Sequence, residues 1–294
     1  MIAYVFLNSS FMEPCGICGR ASSLKCGNCG RQSYCGKPHQ REHWPQHRLV
    51  CKTIPAKPKI LIEERENASL GRFLVAATDI SEEVLLFRDT PIVVGPTAGS
   101  PPLCLGCLHG EPFSRCPKCN VPLCNPRCQH FGPECNVIQR AKATFDATKH
   151  SDCILPLRCL LSVRDPSDQW KEFLRLEAHL DVRRHLPVWH ERNLRVVQVL
   201  KSHGFAAADG SEDELIQRIC GILDVNSFEV RGPDGGILRA VFLRAALMAH
   251  SCVANVHVAV DDNRIMTVRA ARRIEKGETL YYCYTSVLQV CIRL

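Results

Sequence analysis

The sequence predicts an α+β protein in which a β fold is split into two segments by a helical insert and carries small zinc-stabilised modules. Two clusters of cysteine and histidine, at residues 15–51 and 104–135, predict the zinc modules. Short apolar runs typical of strands occur at 67–96 and 226–284. Residues 137–224 between them show helical patterning.

Composition favours a metal-binding protein of a reducing compartment. The chain has 294 residues, 46% of them hydrophobic, and 19 cysteines. An odd number of cysteines argues against a closed disulfide framework, and clustered thiols in a reducing compartment usually bind metal. The N-terminal apolar run is too short for a signal sequence, and no stretch approaches the ~20 apolar residues that cross a bilayer. We therefore expect the nucleus, the cytoplasm or both, and no membrane partner.

The first cluster predicts two interleaved zinc sites. Its eight ligands form four pairs whose intervals are too short for independent fingers, so the first and third pairs share one ion, and the second and fourth share the other. His43 is a spare imidazole, predicted to lie on a helix surface. The pairs are Cys15 with Cys18, Cys26 with Cys29, Cys35 with His39, and His47 with Cys51.

A first β segment follows the finger. Leu70–Ala76 reads as a strand that leads to a polar turn at 79–83. Apolar runs at 84–87 and 92–94 predict two more strands. Residues 97–102, with two prolines and a glycine, predict a linker into the second cluster.

The second cluster repeats the first and predicts a second metal module. The same interleaving assigns Cys104, Cys107, Cys124 and Cys128 to one ion and Cys116, Cys119, His130 and Cys135 to the other. His109 competes with His130 as the imidazole ligand. A single zinc with spare thiols is the alternative for this module.

The helical insert reads as scaffold. Trp170, Phe173 and Leu174 open an amphipathic stretch, and Pro187 interrupts the middle of the block. Ser211 and Glu214 have the spacing of a capping box before a last helix. Five isolated cysteines are predicted to be buried thiols rather than ligands: Cys153, Cys159, Cys220, Cys252 and Cys283.

A second β segment ends the chain. A strand at 228–230, a glycine-rich turn at 232–236 and a strand at 237–243 come first. Runs at 256–260 and 265–268 flank a polar turn and predict a hairpin, and 280–284 reads as a last strand. The sequence thus predicts five domains. They are the N-terminal finger (1–55), the first β segment (56–100), the second zinc module (101–137), the helical insert (138–225) and the second β segment (226–294).

The first cluster resembles the MYND finger. Besides the eight ligands, Tyr34, Gln40 and Trp44 fall in the order of that family, and His39 stands where the family usually has cysteine. The resemblance covers residues 15–51 and implies a protein-interaction module that holds proline-rich peptides.

The two β segments resemble a SET domain split as in the SMYD (SET and MYND domain) family. Four pieces carry the resemblance, and the pattern is similar to the arthropod-type branch, in which an extra N-terminal MYND finger precedes the SET segment. The pieces are 70–73, 226–228, 249–255, and 277–280 with Tyr284.

The resemblance implies methyl transfer from S-adenosylmethionine to a lysine amine of a protein. It implies that Gly71, Arg72 and Phe73 lie along the cofactor. It also implies that Asn226 binds the cofactor by a hydrogen bond and that Ala249 and His250 hold its adenine end. Tyr284 is implied to be catalytic. From single residues alone, His250 and Tyr284 also suit an ordinary core.

Several positions depart from the family pattern. Phe73 replaces a glycine that allows close backbone approach, Ala249 replaces an asparagine, and Ala254 replaces a proline. The chain ends ten residues after Tyr284, where family members continue into a cysteine-rich segment, so we expect a truncated C-terminus. Cys291 alone does not replace that segment.

Two functions follow from these readings. The first is a protein-lysine methyltransferase acting on histones or other proteins. The alternative is a zinc-dependent adaptor or transcriptional regulator with a degenerate SET domain. Residues 1–60 are basic, with nine Lys or Arg and two acids, but nothing resembles a DNA-reading helix. Direct nucleic-acid binding is therefore not expected; it would need salt-sensitive contacts from Lys52, Lys57 and Lys59.

Overall fold

A computed structural model describes residues 13–22, 24–51, 60–97, 99–141, 145–164, 167–232 and 236–284. Internal contacts divide the chain into two compact units, Met1–Ile60 and Leu61–Leu294. The division falls near the predicted end of the first domain, and the other predicted domain boundaries stay predictions. Lys52, Lys57, Lys59 and Cys291 lie outside the described residues.

The first unit is a small finger of two hairpins and one helix. Buried residues at its centre are mostly metal-ligand types, joined by Tyr34, which is 1% exposed. So small a core needs metal to hold it. The strands are β1 (Glu13–Pro14), β2 (Ala21–Ser22), β3 (Leu24–Lys25) and β4 (Ser33–Tyr34), and the helix is α1 (Lys37–Cys51).

The second unit holds twelve described strands in short sheets. Those before the helices are β5 (Ile62–Asn67), β6 (Gly71–Ala76), β7 (Leu85–Asp89), β8 (Val93–Pro96), β9 (Ser114–Arg115) and β10 (Pro122–Leu123). Those after them are β11 (Ser227–Arg231), β12 (Ile237–Val241), β13 (Ala249–His250), β14 (Val256–Val260), β15 (Met266–Ala270) and β16 (Tyr281–Tyr282).

Strand pairing reunites the two β segments. Strand β7 pairs with β15, which pairs with β14, and β8 pairs with β12, which pairs with β11. Strands β5 and β6 form a hairpin, and β13 runs parallel to β16. Residues early in the chain thus share sheets with residues near its described end.

Helices fill the interval between the two β segments. A π-helical segment at Asn193–Val197 and a 3₁₀ turn at Ala245–Leu247 accompany them. The helices are α2 (Gly132–Arg140), α3 (Ser151–Val163), α4 (Asp168–Leu174), α5 (Leu180–Arg183), α6 (Pro187–Arg192), α7 (Gln198–Ser202) and α8 (Asp213–Asn226).

Two apolar cores sit in this unit. One joins α3 and α8 to the second cysteine cluster through Leu105, Val121 and Ile138. The other is formed by the strands. The second metal module is therefore part of a large core, which its sequence does not show.

Several predicted elements differ in detail. The hairpin at 256–268 is confirmed, although its second strand begins at Met266. The capping box at Ser211 is wrong: α8 begins at Asp213 without a side-chain cap, because the Glu212 carboxylate instead accepts from the Ala207 amide and Arg164. Pro187 begins a helix rather than breaking one. The last strand is two residues long, and residues 233–235 of the predicted glycine-rich turn lie outside the described part.

Candidate metal centres and active-site cleft

The finger brings its eight candidate ligands into two groups. Within each group the ligand atoms lie within 4.8 Å of one another. The short knuckles between β1 and β2 and between β3 and β4 supply the first two pairs, and α1 supplies His39, His47 and Cys51. The groups are Cys15, Cys18, Cys35 and His39, and Cys26, Cys29, His47 and Cys51.

The second module has the same interleaved arrangement. A close approach at Gly106 brings its knuckle against Cys128, because a Cβ at Gly106 would lie 2.6 Å from the Cys128 Sγ atom. His130 presents Nε2 to Cys119 Sγ at 3.3 Å. The groups are Cys104, Cys107, Cys124 and Cys128, and Cys116, Cys119, His130 and Cys135.

All four groups fit Zn²⁺, which prefers four thiolate or imidazole ligands in tetrahedral array. Backbone N–H groups, above all that of Cys18, lower the pKa of Cys15 to about 5. Burial opposes ionisation of Cys104, but the N–H groups of Cys107 and Cys124 outweigh it and bring that pKa to about 6. A hydrogen bond with Cys18 raises the pKa of Cys35 to about 11. A bound cation stabilises the thiolate form of all the cysteines in a group, so that one thiol no longer opposes the ionisation of the next.

The spare residues lie outside these groups. His43 is hydrogen bonded to the Tyr34 hydroxyl at 3.1 Å and stacks on His47. The Nε2 atom of His109 is buried without a partner and joins no ligand group in the described residues. Cys153, Cys159 and Cys220 are buried, as predicted. The prediction is wrong for Cys252, whose thiol is exposed beside His250, and Cys283 is only half-buried.

A cleft of about 520 Å³ in the second unit unites the other predicted site residues. Sequence reasoning missed further lining residues, because they come from the helical insert and carry no motif; they are Arg175, Glu177, His179 and Arg218, with Glu66 from β5. The predicted residues in the wall are Gly71, Arg72, Phe73, Asn226, Ala249, His250 and Tyr284.

Local structure explains how the first of these reach the wall. The Asn67 side-chain oxygen accepts from the amides of Ser69 and Leu70 at 2.9 and 2.8 Å and tightens the turn between β5 and β6. Gly71 leaves that turn with φ of +64°, a conformation that favours glycine. The turn therefore sets the start of β6 at the cleft.

A second set of contacts holds the motif pieces near the described end of the chain. The buried Asn255 side chain donates to the Glu278 carboxylate at 2.9 Å and to the Thr279 carbonyl at 2.8 Å, and accepts from the Tyr281 amide at 2.7 Å. Strand β16 is thereby fixed beside β13. His250 Nδ1 accepts from the Tyr284 amide at 3.1 Å, and the Tyr284 hydroxyl donates to the Met248 carbonyl.

Asn226 ends α8 with its amide nitrogen already engaged. That nitrogen donates to the carbonyls of Glu177 at 2.7 Å and Ile222 at 2.9 Å. An amide carries two donors and one acceptor oxygen, so the oxygen is the atom left to receive a ligand donor. Asn226 is 8% exposed and lines the cleft.

Arg72 carries a charge in the cleft wall that is already compensated. Its guanidinium lies 2.8 Å from the Glu172 carboxylate and 3.4 Å from that of Glu64. The Glu172 pair ties β6 to α4. Hydrogen bonds from Arg72 and Arg175 hold the pKa of Glu172 below its usual 4.5.

A neighbouring hollow of about 610 Å³ shares part of this wall. Asn226, Ala246 and Tyr284 line both spaces. The hollow adds the aromatic rings of Phe228 and Tyr282. Tyr284 is 52% exposed, and the partial burial of its ring raises the pKa of its phenol above the usual 10.

Comparison with known proteins bears on this arrangement. The SET domain model matches residues 71–285, more than half of the chain. The chain belongs to the SET-domain family. The MYND finger model matches residues 15–51, and the two together make it an SMYD family member.

Two curated relatives align over most of the chain. It is 28% identical over 234 residues to "SET domain-containing protein SmydA-8, isoform A" of Drosophila melanogaster, covering 74% of this chain and 49% of the relative. It is 26% identical over 250 residues to human "Histone-lysine N-methyltransferase SMYD3", covering 77% and 56%. The SET protein thus spans about half the length of the curated relatives it matches.

Solved structures give a weaker likeness. One described as "Structure of Rubisco LSMT bound to AdoMet" is 11% identical, with a TM-score of 0.38, over 83% of this chain and 52% of that one. Among the described residues of this SMYD member, no helix has the length and apolar character that would let it cross a membrane.

Proposed function

We propose that the chain is an S-adenosylmethionine-dependent protein-lysine methyltransferase. The observation that carries the proposal is the single cleft that unites Gly71, Asn226, His250 and Tyr284 from four distant pieces of the sequence. Residues brought together from such distances form a site that no one segment supplies.

The cleft wall fits the cofactor. S-adenosylmethionine supplies an electrophilic methyl group when bound. The Asn226 oxygen would accept from its ammonium group, and the backbone and imidazole of Ala249 and His250 would hold its adenine end. Gly71, Arg72 and Phe73 also line the cleft. Phe73 stands where the family pattern has a glycine that allows close backbone approach.

The neighbouring hollow suits the substrate lysine. Phe228, Tyr282 and Tyr284, the last of them 52% exposed, line it with aromatic rings, and the Asp224 and Glu229 carboxylates line the same space. The two carboxylates attract a lysine ammonium, which must lose a proton before its amine can attack. Tyr284 borders both spaces, which is the position needed to orient the amine toward the cleft.

Calorimetric titration of S-adenosylmethionine into zinc-loaded protein tests the proposal. We expect micromolar binding that His250→Ala and Asn226→Ala abolish and that Glu214→Gln, a surface control away from the cleft, leaves unchanged. A screen of lysine peptides with labelled cofactor follows. Absence of binding by folded, fully zinc-loaded protein would overturn the enzyme proposal for this chain.

A second candidate function is a zinc-dependent adaptor with a degenerate SET domain. The Tyr284 hydroxyl is engaged by the Met248 carbonyl, and Ala249 offers no side-chain amide to a cofactor. This candidate predicts a folded cleft that binds no S-adenosylmethionine, together with retained binding of partner peptides by the finger.

The finger offers a separate site for a protein partner. Trp44 is 43% exposed and, with Gln40 and Arg41, borders a hollow of about 480 Å³. An exposed indole beside an amide suits a proline-rich peptide, which adopts an extended, preformed helix. Such a partner in transcriptional regulation is consistent with a nuclear or cytoplasmic location. Loss of peptide binding in Trp44→Ala, with zinc content unchanged, tests this part.

A further inference from the structure

His130 in the second metal module is held from both sides of its ring. Its Nε2 atom lies 3.3 Å from Cys119 Sγ, within the Cys116 ligand group. Its Nδ1 atom lies 3.1 Å from Glu134 Oε1. Because Nε2 is the atom turned to the ligand group, Nδ1 carries the proton and donates a hydrogen bond to the carboxylate.

Glu134 is a fully buried carboxylate, with 0% exposure, in the first turn of α2. Its second oxygen receives Arg158 Nε at 2.5 Å, and Arg158 Nη2 lies 3.3 Å from the first. Arg158, from the middle of α3, is itself 8% exposed. The ion pair is therefore closed off from water and depends on both partners.

Arg158 also donates hydrogen bonds to the backbone of two other segments. Nη1 donates to the Val94 carbonyl of β8 at 2.9 Å, and Nη2 donates to the Leu105 carbonyl inside the metal module at 2.8 Å. Helix α3 lies directly on β8 here, since a Cβ at Gly95 would meet Leu155 at 2.9 Å. One side chain thus joins the metal module, α3 and the sheet.

The finger lacks this arrangement in the part of it that the structure describes. His47 is stacked by His43 rather than paired with a carboxylate, and His39 Nδ1 faces Cys35 at 2.8 Å. Of the three imidazoles in described ligand groups, only His130 has a carboxylate partner. The linkage belongs to the second module and to the core it joins.

We infer that Glu134 and Arg158 are positioning residues that hold His130 as a ligand of the Cys116 site and couple zinc occupancy there to the packing of α3 on β8. Without the carboxylate the imidazole can rotate away from the ion. Without the ion the imidazole no longer anchors the ion pair. Neither step involves methyl transfer, so the inference stands apart from the proposed function.

Thiol alkylation of the full zinc-loaded chain in the presence of a chelator tests the inference. Mass spectrometry reads each cysteine peptide separately. We expect Glu134→Gln and Arg158→Met to speed alkylation of Cys116, Cys119 and Cys135 about 10- to 100-fold. Finger cysteines in the same molecule are the internal control, and Glu214→Gln, which breaks an exposed ion pair with Arg184, is the matched variant.

Each single variant leaves one buried charge, so a double variant is needed to separate this effect from misfolding. Glu134→Gln combined with Arg158→Met removes both charges. We expect the same selective alkylation of the Cys116 group, with faster amide hydrogen exchange in Val93–Pro96. Folded single and double variants that release this zinc at the wild-type rate would overturn the inference.

Discussion

Tyr284 is the residue whose replacement bears most directly on chemistry. It lines both the cleft and the hollow, and its hydroxyl donates to the Met248 carbonyl, so the hydroxyl oxygen is the atom left to accept a hydrogen bond. We expect Tyr284→Phe to lower the methyl-transfer rate about 10²-fold or more, since loss of one oriented hydrogen-bonding group in an active site costs that much. Binding of S-adenosylmethionine should persist.

The measurement is single-turnover transfer of labelled methyl to a lysine peptide. Tyr281→Phe is the control, because Tyr281 lines neither space. A Tyr284→Phe protein as fast as the wild type would remove this residue from the mechanism.

Gly106 is a second single-residue test, this time of the metal module. An added Cβ would lie 2.6 Å from Cys128 Sγ and 2.7 Å from the Gln129 carbonyl oxygen, so ligand or backbone must shift. We expect Gly106→Ala to destabilise the zinc-loaded protein by about 1–3 kcal/mol, as overpacking does. Gly132→Ala, with nothing within 4 Å, should be close to neutral. Thermal unfolding at fixed zinc concentration compares the two.

At the scale of elements, Asp224 in α8 joins that helix to two other helices and a strand. Its carboxylate receives Arg183 of α5 at 2.6 Å, Arg192 of α6 at 3.0 Å and Arg239 of β12 at 3.2 Å. Because Asp224 in α8 lies two residues before Asn226, the arginines also fix the end of the helix that borders the cleft.

We expect Asp224→Asn to lower the free energy of unfolding by about 2–4 kcal/mol, since it leaves three largely buried cations around a neutral amide. Asp168→Asn is the control, because the Asp168 side chain is 97% exposed in its pair with Lys171. Urea denaturation at constant zinc measures both. Equal midpoints for the two variants would mean that the arginines find other partners.

The bridge between β6 and α4 makes a pH-dependent contribution. The folded pKa of Glu172 lies below its usual 4.5, because Arg72 and Arg175 donate to the ionised carboxylate. The bridge therefore stabilises the fold fully above about pH 4.5, and that stability is lost as pH falls through the lower folded pKa.

We expect wild type to exceed Glu172→Gln in stability by about 0.5 kcal/mol near neutrality, since the carboxylate is partly exposed. The difference should shrink toward zero in acid. Denaturation midpoints of the two proteins across a pH series, at matched zinc content, give that difference. A gap that widens in acid would contradict the assignment.

The elements show which features the sequence predicts and which it does not. Interleaved metal groups follow from local spacing, and the hairpin at Val256–Ala270 follows from alternation around a polar turn. Strand β5 was missed because only Ile62 of its residues is buried, so no alternation marks it. The Glu134–Arg158 and Asp224 contacts join residues far apart in sequence, and no local pattern records such partners.

For the whole molecule, the ligand groups of the described residues set the metal content. Four groups of four ligands predict four zinc ions per chain. Metal analysis of protein prepared without excess zinc should give that ratio. Because metal binding and folding are linked in such modules, complete removal should unfold the finger and loosen the core around the second module. A ratio of two would show that only one module holds zinc.

Pairing of β7 with β15 and of β8 with β12 has a consequence for synthesis on the ribosome. At about 5–20 residues per second, the early strands wait roughly 10–40 s for their partners to be made. In that interval their edges are open to other chains. All ligands of the second module, Cys104 to Cys135, emerge soon after β8, so this module can bind metal while translation continues. Scarcity of zinc during translation would then reduce the yield of folded chains, even if zinc were supplied later.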